Sequence, residues 1–204
     1  MQPFTTVTGA AIPLPRSNID TDVIIRIERL TQGGDLGLYA FEVLRYRPDG
    51  SPDPASVFNE PRFAGASILL AGRNFGCGSS REGAVTALMA MGLRCVIAPS
   101  FGDIFFANCF RNGMLPVVLP EETVGLLAAQ ARDGDFTVDL KARTIHAPSG
   151  ESLAFQVDPL QREGLLEGLD EIGLTLKWAD DIAAWQKTDR AAHPWVWQIE
   201  GISV

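Results

Sequence analysis

At 204 residues, 46% of them hydrophobic, the chain is long enough to bury a substantial core as one domain or as one domain with appendages. A formal net charge of −8 argues against a nucleic-acid role, which wants a basic face, and no apolar run approaches the length of a membrane span. With no basic-then-apolar leader pattern and three cysteines at unpaired spacing, the expected compartment is a reducing cytoplasm.

Residues 1–16 alternate threonine, valine and glycine with apolar positions and predict an opening strand closed by Pro13 and Pro15. Asp20-Thr21-Asp22 then precedes Val23-Ile24-Ile25. Two acids two residues apart can hold a divalent cation, but no third oxygen-rich group stands nearby, so a turn and helix cap is the better reading. Arg26 to Tyr39 is polar, carries paired glycines and is expected to be mobile unless something holds it. Arg47 to Pro61 contains four prolines. It predicts an exposed, stiff connection without a packed helix or central strand, and a candidate contact surface.

The richest stretch is Ser67 to Pro116. Ser67-Ile68-Leu69-Leu70-Ala71 is too short for a helix and suits a buried strand. Gly72 to Gly78 follows as a loop whose three glycines open backbone geometries closed to other residues. Ser79-Ser80-Arg81-Glu82 reads as a capping box, with Ser79 at the N-cap and Glu82 three residues on. The helix beyond carries Ala84, Val85, Leu88 and Met91 at helical spacing and ends at Gly92. Cys95 to Ala98 predicts a second strand, Ser100 with Asp103 a second helix start, Asn112-Gly113 its end, and Leu115 to Leu119 a third strand. Such alternation predicts a parallel sheet with right-handed crossovers. Ligands of these sheets sit beyond the carboxyl ends of the strands, where the Gly-Ser-Ser-Arg loop falls.

Glu121 to Arg132 reads as an amphipathic helix with acids first and Gly134 beyond it. Phe136 to Leu140 and Thr144 to Ala147 alternate as hairpin strands, with Ser152 to Val157 as a third. Asp158-Pro159 opens helical sequence that runs, with a break near Gly173, towards Lys187. His146, on a strand, is expected at the surface rather than in catalysis. The tail from His193, with Pro194-Trp195-Val196-Trp197, is too aromatic for water and is expected to fold back or to press against a partner.

Backbone N–H groups at a helix start carry partial positive charge and favour an anion. Arg81 adds a planar fork that matches a carboxylate, and the hydroxyls of Ser79 and Ser80 can donate or accept. An anionic oxygen formed at Ser79 is stabilised in the same place, so this serine can act as a base; the spacing alone equally allows a plain helix cap. A Walker loop fails for want of a nearby lysine, and a dinucleotide fingerprint fails because the glycines fall at 72, 76, 78 and 83. A nucleophile elbow needs Gly-x-Ser-x-Gly and a partner histidine, and only His146 and His193 exist. Cys77, Cys95 and Cys109 match no iron–sulfur spacing, and two of them fall within apolar strand or helix patterns.

Gly76-Cys77-Gly78-Ser79-Ser80-Arg81-Glu82 and the run from Ala98 to Gly113, together with Asn18 to Ile25 and Phe58 to Arg62, resemble the swivel domain of the aconitase superfamily. More closely, they resemble the small-subunit family of 3-isopropylmalate dehydratase. The likeness is dense from about residue 5 to 120 and thin afterwards. It implies an α/β fold, an aconitase-like swivelling β/β/α domain with a mostly parallel central sheet flanked by helices. Residues 1–204 would form a single swivel-type domain, its core about 1–160, with a helical C-terminal extension about 159–204.

The resemblance also implies half an enzyme, active only with a large subunit in a heterodimer or heterotetramer. Ser79 is then the base that removes a carbon-bound proton and Arg81 the clamp on a substrate carboxylate. Ser80 and the Gly78 backbone complete the anion pocket, Asp22 approaches the site, and the loop begun by Arg26 helps choose the substrate's side group. The [4Fe–4S] cluster is implied on the large subunit, with no cofactor or metal in this chain. The implied reaction isomerises a hydroxy-dicarboxylate by dehydration and rehydration: 2-isopropylmalate to 3-isopropylmalate, in leucine biosynthesis. Alternatives are citraconate, homoaconitate or another small di- or tricarboxylate, and a non-catalytic anion-binding regulatory subunit; nucleic acid and membrane are not implied. Two departures bear on the substrate. Arg26 stands where the family pattern has proline after the paired isoleucines, and Gly83 where a histidine follows Arg-Glu.

Overall fold

The computed structural model describes residues 1–79 and 81–198, and the chain divides into two units, Met1–Leu169 and Asp170–Val204. In the first unit the expected opening strand is two strands, β1 (Thr6–Gly9) and β2 (Ala11–Leu14), which enter different sheets. Strands β3 (Ile68–Ala71), β4 (Cys95–Ala98) and β5 (Leu115–Val118) join β2 in a wholly parallel sheet of order β2-β3-β4-β5. Every residue of β3 and β4 is buried, as strands covered on both faces must be. Pro13 and Pro116 fall on the two edge strands, where a missing N–H is tolerated. The second sheet is antiparallel, of order β1-β6-β7-β8, with β6 at Phe136–Asp139, β7 at Thr144–His146 and β8 at Ser152–Ala154. Phe136 and Val138 point to the core while Thr137 and Asp139 are only half-buried, the period of two expected of a sheet with one covered face.

Three short helices connect β2 to β3: α1 (Thr21–Ile24), α2 (Ile27–Gln32) and α3 (Glu42–Arg45). The crossovers of the parallel sheet are α4 (Glu82–Ala90) and α5 (Asp103–Asn112), which pack on one another. Helix α6 (Glu121–Ala129) returns across β2, β3 and β4, and α7 (Pro159–Glu167) closes the unit. Met1 donates through its amino group to the Gly168 carbonyl (3.0 Å), tying the start of the chain to the end of α7. The core collects Leu69, Leu70, Val96, Ile97, Leu88 and Phe105, each at most 2% exposed and each contributing about 1.5–3 kcal/mol by leaving water. This is the α/β architecture that the strand–helix alternation predicts.

Several local expectations are corrected. Arg26 to Tyr39 is not an unheld loop: it contains α2 and a 3-10 turn at Leu36–Leu38. Arg29 donates from Nε to Glu42 Oε2 (2.9 Å) and lies 4.4 Å from the Tyr39 ring centroid, while Leu30 rests on Gly83, where an added Cβ would meet its Cδ2 at 2.6 Å. The proline-rich stretch Arg47 to Pro61 is packed at its far end. A 3-10 turn at Val57–Asn59 buries Phe58 against Phe41 (ring centroids 4.5 Å), because Pro48, Pro52 and Pro54 all precede that turn.

The helical break after Asp158 also lies elsewhere. Gly168, at φ +71°, ends α7, whereas Gly173 sits inside the next helix. The second unit holds α8 (Glu171–Leu176) and α9 (Ala179–Ala192), the latter extending past Lys187. Of the two fates expected for the tail, Trp197 folds back. Its Nε1 donates to Asp189 Oδ2 (2.8 Å), and the Arg190 guanidinium lies 4.6 Å from its ring centroid. Among the described residues no helix is long and apolar enough to cross a membrane.

Candidate active site

Three loops leave the carboxyl ends of β2, β3 and β4 and are bonded into one surface. Asn18 N donates to the Arg73 carbonyl (2.8 Å), Gly76 N to Ile19 (2.8 Å) and Thr21 N to Cys77 (2.9 Å), joining the first loop to the second. Phe75 N donates to the Ser100 carbonyl (3.0 Å) and Gly102 N to that of Phe75 (2.9 Å), joining the second to the third. Gly76 and Gly78 make this possible with φ of +71° and +97°, values that cost a side-chain-bearing residue strain. At Gly76 there is also no room: a Cβ would lie 2.2 Å from the Phe105 ring. The loop therefore rests on the Phe75–Phe105 pair (centroids 5.3 Å), part of the core.

Ser79 does not cap the helix. The N-cap of α4 is Arg81, without a side-chain cap bond, and Ser79 lies outside it, its carbonyl accepting from Arg81 N (2.8 Å). Glu82, the other half of the expected capping box, instead accepts through Oε1 from Asn112 Nδ2 (3.1 Å). The pairing of Ser100 with Asp103 fails likewise: α5 has Gly102 at its N-cap, and Ser100 Oγ accepts from Asn74 N (2.9 Å). The exposed Ser79 hydroxyl has one partner among the described residues, Thr21 Oγ1 at 3.2 Å. Thr21 itself is buried, and its hydroxyl also donates to the Ser79 carbonyl (3.3 Å). Sequence reasoning passes over Thr21, because nothing local marks a threonine between two acids as the partner of a serine 58 residues away.

Arg81 donates through Nη1 to Asp22 Oδ1, with 18% of the arginine side chain and 60% of the aspartate exposed. Its Nε and Nη2 have no bond among the described residues. Asp20, as expected, caps α1, its Oδ1 accepting from Val23 N (2.8 Å). Arg26 has no hydrogen bond to the Ser79 loop among the described residues. It is an N-cap without a side-chain bond, 3.4 Å through Nε from Glu42 Oε1, and it shares with Asp20, Asp22 and Glu28 a cleft of about 380 Å3. So Ser79, Gly78, Arg81 and Asp22 lie together, Arg26 flanks them, and Ser80 lies outside the described residues. His146, exposed on β7 in the antiparallel sheet, belongs to none of these loops.

The three thiols do not gather into one group among the described residues. Burial pushes the Cys95 thiol well above its ordinary range, and Cys109 is raised by burial and then by Cys95. Both are buried in the core, Cys95 on β4 and Cys109 on α5. Cys77 alone lies in the loop, and no group of three His, Cys, Asp or Glu side chains among the described residues is placed to hold a metal ion.

A family model of the aconitase C-terminal domain matches residues 1–122, the portion that builds the three loops. A model of the C-terminal domain of the 3-isopropylmalate dehydratase small subunit matches residues 171–196. A 3-isopropylmalate dehydratase small subunit from Cereibacter sphaeroides is 49% identical over 201 residues, 96% of this chain and all of that protein. The protein of the same name from Rhodospirillum centenum is 50% identical over 200 residues, 96% of this chain and 98% of its own.

The chain belongs to the 3-isopropylmalate dehydratase small-subunit family. A crystal structure of a 3-isopropylmalate dehydratase from Methanocaldococcus jannaschii is similar with a TM-score of 0.63 at 25% identity, covering 89% of this chain and 99% of that one.

Proposed function

We propose that this chain is the small subunit of a cytoplasmic 3-isopropylmalate dehydratase, paired with a large subunit as a heterodimer or heterotetramer and converting 2-isopropylmalate to 3-isopropylmalate in leucine biosynthesis. Near-50% identity along the full length of proteins with that name supports the activity. The single observation that carries the site is Ser79. It sits on an anion-favouring loop, is spent on no helix cap, and has only Thr21 against its hydroxyl among the described residues.

Ser79 Oγ is assigned as the base. As an alkoxide it takes the proton from the carbon next to the carbinol carbon. The C–H electron pair becomes the second bond of a carbon–carbon double bond, and hydroxide leaves the carbinol carbon. Adding water back with the opposite regiochemistry gives the isomer. The N-terminus of α4 and the Arg81 charge stabilise the alkoxide, and Thr21 orients it. Arg81 Nε and Nη2 take a substrate carboxylate through a two-pronged contact, completed by the Gly78 backbone and Ser80. Loss of hydroxide is assigned to the large subunit, which in the resembled family would carry the [4Fe–4S] cluster and supply the Lewis acid for that step.

The test is an anaerobic assay of the purified pair on 2-isopropylmalate, citraconate-derived and homoaconitate-type substrates. The highest kcat/KM is expected on 2-isopropylmalate. Tenfold preference for another acid would reassign the substrate, and no turnover of any would leave a non-catalytic anion-binding subunit.

A further inference from the structure

The unit beyond Leu169 is built unlike the first. Among its described residues, 170–198, none is buried, yet all four tryptophans of the sequence lie here, at 178, 185, 195 and 197. Trp178, Trp185 and Trp195 are 64%, 63% and 68% exposed, and Ile172 and Leu176 are 69% and 61% exposed. The exposure is patterned. Ile172 and Leu176 are one turn apart on α8, and Trp178 at the N-cap of α9, the half-buried Ile182 and Trp185 follow one another at helical spacing. A tryptophan offers about 150–250 Å2, so the exposed apolar side chains here offer on the order of 700 Å2, near one partner's share of a standard protein interface. Helices of 6 and 14 residues with no buried face gain little stability from propensity alone.

We propose that the apolar faces of α8 and α9 are a docking surface for the large subunit, a proposal that rests on the two-subunit reading above. The distribution of family matches identifies the occupant. The loops of the site lie within the part that matches an aconitase C-terminal domain, a domain named as part of a longer chain. The tryptophan-bearing helices instead match a segment named for the small subunit, a protein that must find its partner without a covalent tether. The surface thus belongs to the portion peculiar to a separate subunit. A second copy is the poorer occupant. Each chain carries −8, and both helices begin with acids, Asp170 and Glu171 at the start of α8 and Asp180 and Asp181 in the first turn of α9, so like surfaces meet.

The experiment compares the full chain with a Trp178→Gln, Trp185→Gln double variant, titrated against the purified large subunit by calorimetry. At least a 30-fold weaker Kd is expected, with kcat at saturating variant within threefold of wild type, because neither residue belongs to the Ser79 loop. A Kd within threefold of wild type, with unchanged circular dichroism, overturns the assignment. Hydrogen exchange on the wild-type pair gives an independent readout. Amides of 171–196 are expected to slow at least tenfold on pairing, and unchanged exchange there overturns it too. A variant that abolishes self-association of the isolated chain but leaves large-subunit affinity intact assigns the surface to a second copy and also overturns it. Pairing of the wild-type chain tests the two-subunit reading, and the contrast between chains tests the surface, so the two fail separately.

Discussion

Ser79 is where a local reading and the folded geometry part most informatively. Ser-x-x-Glu spacing is a cap signature, yet both side chains have other partners, Thr21 for Ser79 and Asn112 for Glu82. A cap's loss costs about 0.5–2 kcal/mol, so a serine that caps nothing gives a clean contrast. Ser79→Ala is expected to leave thermal unfolding within a degree or two of wild type and to lower turnover of the assembled enzyme by about two to four orders of magnitude. A large fall in melting temperature with near-normal turnover would return Ser79 to a structural role. Asp22 belongs to the same scale. A carboxylate cannot itself attract the dianionic substrate proposed above, so in that reading Asp22 acts through the Arg81 guanidinium that it holds. Asp22→Asn is expected to raise KM several-fold with a smaller change in kcat. Because an exposed ion pair contributes at most about 1 kcal/mol, stability should barely move. Equal loss in kcat and kcat/KM would instead place Asp22 at the reacting atoms.

Elements behave as their neighbours dictate. Helix α2 looks like loose polar sequence because its anchors are distant in the chain. Glu42 takes Arg29 and Arg26, and Gly83 makes room for Leu30. The departure at Gly83 thus has a physical consequence, since a larger residue would displace Leu30. In α9 the local chemistry is pH-dependent. Asp189 accepts from His193 and then from Trp197, which holds its carboxyl below the ordinary range. A carboxyl lowered by folding stabilises at pH above its unfolded value of about 3.9, and that contribution is lost as pH falls through the folded value. The Trp197 fold-back should therefore persist at neutral pH and open in acid below about pH 4. Tryptophan fluorescence, read as the difference from a Trp197→Phe chain, should shift to the red over that range. In Asp189→Ala, which has no acceptor there, it should already be shifted at neutral pH, and a wild-type signal flat down to about pH 2 would refute the contact.

At the scale of the whole molecule, the parallel sheet separates reactive from inert positions. Cys95 and Cys109 are buried between sheet and helix with their thiols kept protonated, while Cys77 is half-exposed on the loop. Thiol titration of the folded chain should give one fast equivalent, rising to three in denaturant, and the purified chain should hold no stoichiometric iron or sulfide. Three fast equivalents in the folded chain, or bound cluster iron, would contradict this picture.

Hydrophobic period and glycine punctuation are local properties, so the sequence by itself determined the three central strands, the helices between them and the placement of the Ser-Arg loop at their carboxyl edge. It marked Ser79, Arg81 and Asp22, but not what each of them touches. The division of residues 1–16 between two sheets depends on which partners the two halves find, β6 for one and β3 for the other. Thr21 against Ser79 and Asp22 against Arg81 span 58 and 59 residues. Only the packing of loops around Gly76 brings such groups together, because no local periodicity records a contact that two distant segments make across a sheet edge. The cap likewise lies at Arg81, while the Ser79 hydroxyl meets Thr21, a partner that no local pattern announces.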